Sequence, residues 1–209
     1  WLGPAPDRPY NAELCPQGVH KHFPNWRSYV EYAGGGLADM GAHHFDIAQW
    51  AMEMDSSGPV EIIPPAEPNS TKGLRFLYAS GIEMIHDVFE EGIKADCVFE
   101  GTRGKILVSR DGISSHPKSI LEEPLPDNAR RVMPSDNHHT NWLEGIRNST
   151  ATICTAETGH RSASICHLAN IGYRLGRPLK WDPLKETFVN DAEADTQLTR
   201  EPRGEWKNV

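Results

Sequence analysis

Hydrophobic and polar positions follow two different periods along this chain, and the change between them divides it. Residues Leu37 to Met54 read as one helix running out of the glycines at 34–36. A short strand is predicted at Val60–Ile63, ended by a double proline that cannot join a sheet ladder. From Leu74 the period becomes two. The stretches LRFLYASGIEMIHDV, IKADCVFEGTRGKILVSRDG and ISSHPKSILEEP read as successive strands, with turns at Ala79–Gly81 and Gly101–Gly104, and so as an antiparallel meander. Helical spacing returns at about Asn137–Arg147 and again at about Ala156–Leu175. In the second of these helices Ile165, Leu168, Ala169, Gly172 and Leu175 form one stripe, with Gly176 placed to cap the end. A short extended piece and a frayed final helix close the chain. Residues 1–25 are Pro-rich and aperiodic, an extended lead-in.

Helices flanking a consecutive run of strands predict an α+β fold, an open, mostly antiparallel sheet with helices on one face, formed by residues 1–209 as a single domain. Strands and helices do not alternate, so a doubly wound nucleotide-binding sheet is not expected. At 209 residues, 38% hydrophobic and 24% charged, the composition is that of a folded soluble domain. A net charge of −8 argues against a nucleic-acid surface, and no apolar run is long enough to span a bilayer. The four cysteines show no CxxC pairing, which leaves free thiols as the expectation. The chain opens at Trp1 rather than Met, so the lack of a visible signal peptide is uninformative; a cytoplasmic location is favoured, with export left open.

The chemistry concentrates in YVEYAGGGLADMGAHHFDIAQW, residues 29–50. A dinucleotide loop fails at its third position, where Asp39 stands for glycine and would repel phosphate. A metal site from His43, His44, Asp46 and the pair His138–His139 lacks a HExxH-type spacing, and no metal is expected. An acid–base pair fits better. Asp39 and His43 are four apart, one helical turn, with Asp39 able to orient one ring nitrogen and leave the other for a substrate proton. Trp50 continues the His43 face and is placed to pack beneath it.

GGGLADMGAHHFDIAQW strongly resembles the Gfo/Idh/MocA oxidoreductases, whose substrate domain opens with D-x-G-x-H-x-x-D, matched by Asp39, Gly41, His43 and Asp46. WLGPAP, RPYN, the pair Trp26–Arg27, GTRGKILVSRDG, GHRSASICHLANIGYRLGRPLKWDP and REPRGEW are similar to the bacterial branch, so the resemblance covers essentially the whole chain. It implies acid–base work by His43 with Asp39 on a sugar hydroxyl, coupled to hydride transfer with NAD or NADP. The cofactor domain and its lysine motif do not lie in these residues, so the expectation is a C-terminal substrate and dimerisation half, inactive alone.

Arg27, Tyr10, His44 and Trp26 are the expected substrate contacts, for a sugar, polyol or related cyclic alcohol. Asp46 is expected to hold neighbouring groups, His160, Arg161 and His167 to be structural, and Trp181–Pro183 to pack. A homo-oligomer through the open sheet face is implied, with Phe76, Tyr78, Ile82, Met84 and Val98 as residues that can supply it. Two other readings stay open: an NAD-dependent glycoside hydrolase working by transient oxidation and elimination, and a non-catalytic sugar-binding or dimerisation module.

Overall fold

The computed structural model describes residues 2–18 and 24–204. In chain order its elements are a 3₁₀ turn Asn25–Ser28, α1 Gly35–Asp39, α2 Gly41–Ala51, β1 Glu61–Ile63, β2 Arg75–Leu77, β3 Glu83–Ile85, β4 Cys97–Gly101, β5 Gly104–Ser109 and β6 Gly112–His116. These are followed by α3 Ser119–Glu122, α4 His138–Asn148, α5 Ala156–Leu175, β7 Leu179–Asp182, β8 Thr187–Phe188 and α6 Ala192–Asp195. The chain divides into two compact units, the first from residues 1–88 and 161–209, the second from residues 89–160. The α+β class holds. The strands from Leu74 onwards are not one meander, however. β2 and β3 belong to a five-stranded sheet of order β3-β2-β1-β7-β8, and β4-β5-β6 form a separate three-stranded sheet.

In the first unit, alternation does the sorting. Leu74, Phe76 and Tyr78 are buried while Arg75 is exposed, as period-two side chains on a half-covered sheet must be. Phe76 pairs across to Ile62 on one side and Met84 on the other, and Ile62 to Leu179, so one face carries a continuous apolar set. The buried stripe of α5, with Ile165, Leu168 and Ala169, joins that set in one core. Contact is closest at Gly172, where an added Cβ would come within 2.7 Å of Ile62 Cγ2 and 2.8 Å of Leu74 Cδ1. Gly176 sits just past α5 at φ +61°, its N–H bonded to Gly172 O, the cap its position predicts. Trp181 packs edge-on against Phe188 with ring centroids 4.9 Å apart, the packing role expected of it. Arg161 donates to Pro183 O and pairs with Glu186 at 2.9 Å, also structural.

Phe76, Tyr78 and Met84 therefore face the core and are not available as an oligomerisation surface. The opposite face presents Ile63, Leu77 and Ile85 among Glu61, Arg75, Glu83 and Lys180.

In the second unit β4, β5 and β6 pair antiparallel in simple succession. α4 is capped by Asn137, whose side chain accepts from Thr140 N at 3.0 Å. Cys97 and Cys166 are buried, Cys15 and Cys154 exposed, and none of the four is in a disulfide. Burial pushes the Cys97 and Cys166 thiols up to about 11, so both stay protonated and unreactive at neutral pH.

Candidate active site

The helix expected over Leu37–Met54 is two helices. It begins earlier, at Gly35, breaks at Met40 and ends at Ala51. Gly35 has φ +63°, and at Gly34 an added Cβ would lie 2.4 Å from Ala38 Cβ. The amide of Asn170 on α5 donates to Gly34 O at 2.9 Å. The glycines thus dock the turn against α5, which accounts for their presence without a phosphate. Among the described residues no strand precedes them, only the 3₁₀ turn and irregular backbone. These residues do not fit a dinucleotide.

The contacts of Phe45, Asp46 and Gln49 lie on one side of α2. Phe45 is buried and meets Phe76 edge-on at 5.9 Å. Asp46 Oδ1 accepts from Ser162 Oγ on α5 at 2.5 Å. Gln49, 1% exposed, accepts from the Tyr78 hydroxyl at 2.7 Å and donates to Met54 O and Ser57 O at 3.3 Å. His43 and Trp50 are exposed on the other side, so Trp50 shares the His43 face as expected but does not pack beneath it. His44, a turn of about 100° from His43, is half-buried. The result is a helix held by its inner face that offers an imidazole outward.

Both oxygens of Asp39 are engaged by Arg27 rather than by the imidazole expected from the spacing. Arg27 Nε donates to Oδ2 at 2.7 Å and Nη2 donates to Oδ1. Met40, between α1 and α2, keeps right-handed backbone at φ −91°, ψ −32°. Asp39 and His43 therefore remain about one turn apart, across a junction instead of within one helix.

Two of the expected substrate contacts meet in a cavity of about 300 Å³, where Tyr10 and Trp26 are joined by Tyr32, Leu14, Arg8 and Asn11. Trp26 also lies under the Arg27 guanidinium, 5.8 Å from ring centroid to Cζ. The walls are held from outside: Arg8 pairs with Glu31 at 2.8 Å, Trp26 N donates to Leu14 O, and Arg200 near the chain's end donates to Glu31 O and Val30 O. Cavities of this size and aromatic character suit one ring-shaped ligand. His43–His44 and His138–His139 belong to different units. Among the described residues no group of three or more His, Cys, Asp or Glu is placed to hold a metal.

The sequence reading missed Asn170 and Ser162, which fix the glycine turn and α2 to α5. Their only signal was a polar residue in or beside the buried stripe of a long helix, a position that requires a partner.

A family model described as oxidoreductase family, C-terminal alpha/beta domain, matches residues 1–208. The chain belongs to the Gfo/Idh/MocA oxidoreductase family as that C-terminal domain. A search of curated proteins found no match.

Proposed function

We propose that this domain supplies the substrate half of an NAD(P)-dependent oxidoreductase acting on a sugar, polyol or related cyclic alcohol. The observation that carries the reading is the outward-facing His43 on a helix locked through Phe45, Asp46 and Gln49. A general acid/base needs a fixed frame and an open ring nitrogen, and α2 provides both. His43 takes the proton of the substrate hydroxyl during oxidation and returns it during reduction. A nicotinamide cofactor, if bound by a domain outside these residues, would supply the hydride chemistry at the carbon bearing that hydroxyl. Tyr10 and Trp26 line the cavity with aromatic surface for the apolar face of a sugar ring. In this reading His44, which does not line that cavity, adds a polar contact from α2.

The test is the native reading frame expressed in full and assayed for absorbance of reduced cofactor, with NAD and NADP against a panel of hexoses, pentoses and cyclitols. Net cofactor reduction supports the reading. Cleavage of aryl glycosides without net reduction replaces it with the redox glycosidase. Sugar binding with neither activity replaces it with a binding module.

We further propose a homo-oligomer through the outer face of the five-stranded sheet, which presents Ile63, Leu77 and Ile85 within a mixed-charge border.

A further inference from the structure

Arg27 stands where two parts of the site meet. One 3₁₀ turn, Asn25–Ser28, sends consecutive side chains to different places: Trp26 to the wall of the cavity and Arg27 to the Asp39 carboxylate. The ion pair is fork against fork, Nε with Oδ2 and Nη2 with Oδ1, a geometry only a guanidinium supplies. The two side chains keep 29% and 32% of their exposure, so the pair is partly screened from water and better placed than an open surface ion pair to hold a conformation.

What the pair holds matters more than its strength. Asp39 is the last residue of α1, and Met40 alone separates it from α2. Met40 N donates to Gly36 O at 3.1 Å and His43 N donates to Met40 O at 3.2 Å, so the junction is a hydrogen-bonded bend rather than a continuous helix. Its neighbours are glycines: Gly34, Gly35 and Gly36 before it and Gly41 after it. Glycine-rich backbone has large conformational freedom to lose, and an external clamp is one way to restrain it. Leu37 and Ala38 before the bend and Ala42 and Phe45 after it pack on the core, whereas Asp39, Met40 and His43 are outside that set, so the polar side of the bend is left to Arg27.

We propose that Arg27 is a positioning residue: its bidentate grip on Asp39 fixes the α1–α2 junction and thereby the place from which His43 acts. The catalytic consequence rests on the proposed role of His43; the structural consequence does not. Arg27 is then not the substrate contact that its place in the sequence implies, because the guanidinium fork is turned to Asp39.

The test uses the full native protein with Arg27→Met, Arg27→Lys, Asp39→Asn and the double variant R27M/D39N. Amide hydrogen–deuterium exchange is read for peptides covering 36–44. In R27M that stretch exchanges about tenfold faster or more, while peptides from β1, β2 and residues 165–175 stay within about twofold. Arg27→Lys falls between, since a point charge cannot make both bonds. The double variant exchanges no faster than the faster single one, as expected of two partners in one interaction. Unchanged exchange at 36–44 overturns the proposal, and so does a rise spread evenly over the first unit. Should R27M fail to fold, Arg27→Lys carries the same comparison.

With the sugar that passes the cofactor assay, R27M lowers kcat by about 10²-fold with KM within about threefold, and Arg27→Lys recovers part of kcat. A raised KM with kcat intact makes Arg27 a substrate contact and overturns the positioning role. Exchange needs no turnover, so a failure of the proposed function leaves this inference decidable.

Discussion

The hydroxyl of Tyr78 donates to Gln49 Oε1 at 2.7 Å inside the core, joining the five-stranded sheet to the helix that carries His43. Burial raises the Tyr78 phenol above its ordinary pKa, so it remains a donor at any pH the fold survives. Tyr78→Phe keeps the ring but leaves a buried amide oxygen without its donor. The expected cost is about 1–3 kcal/mol, read as a lower urea midpoint with an unchanged slope. A midpoint equal to that of the parent shows that the bond does not contribute.

A second polar link sets a pH dependence. Leu74 N donates to the Tyr173 hydroxyl oxygen at 3.2 Å, so the hydroxyl proton is free for His86 Nδ1, 2.7 Å away, which must then be unprotonated. Burial lowers the His86 pKa, against a smaller opposing pull from the Asp87 charge. The folded pKa therefore lies below the unfolded value of about 6.5. Above that value both states are neutral and the contribution is complete. As pH falls below it the unfolded chain binds the proton first, and stability is lost down to the folded pKa. Urea midpoints at pH 7.5, 6.5 and 5.5 should fall in that order, and more steeply in the parent than in His86→Leu. Parallel profiles contradict this assignment.

Two glycines of α5 have opposite environments. At Gly172 a Cβ would overlap Ile62 and Leu74, so Gly172→Ala should cost about 1–3 kcal/mol through overpacking. At Gly159 nothing lies within 4 Å, and Gly159→Ala should stabilise by about 0.5–1 kcal/mol through helix propensity. Thermal melts of the two variants, moving in opposite directions, check the docking of α5 on the sheet.

The proposed oligomer face makes a distinct claim. Ile85→Lys and Leu77→Glu should lower the mass measured by light scattering while leaving the circular dichroism spectrum unchanged. An unaltered mass in both variants removes that face from the assembly.

Elements with long, regular periodicity were readable from the chain alone. α5 shows its buried stripe and its capping glycine, and α4 falls within a residue of its expected ends. The glycine–histidine segment was readable in its chemistry but not in its geometry. Helical spacing places Asp39 and His43 on one face, yet spacing contains no term for Arg27, twelve residues earlier, which captures the carboxylate through tertiary contact. Sheet partnership was equally hidden. Period two shows that Phe76 and Val98 are in strands, but it cannot show that they belong to different sheets, because pairing depends on which strand returns beside β1. Strand β7, more than a hundred residues beyond β1, takes that place.

The most direct test of the account is His43→Ala in the full native protein, measured for turnover and for binding of the nicotinamide cofactor. Loss of turnover by about 10²-fold or more, with cofactor affinity and urea midpoint close to the parent's, is the predicted result. Turnover retained at the parent's level contradicts His43 as the acid/base group, and with it the reading of α2 as the catalytic helix.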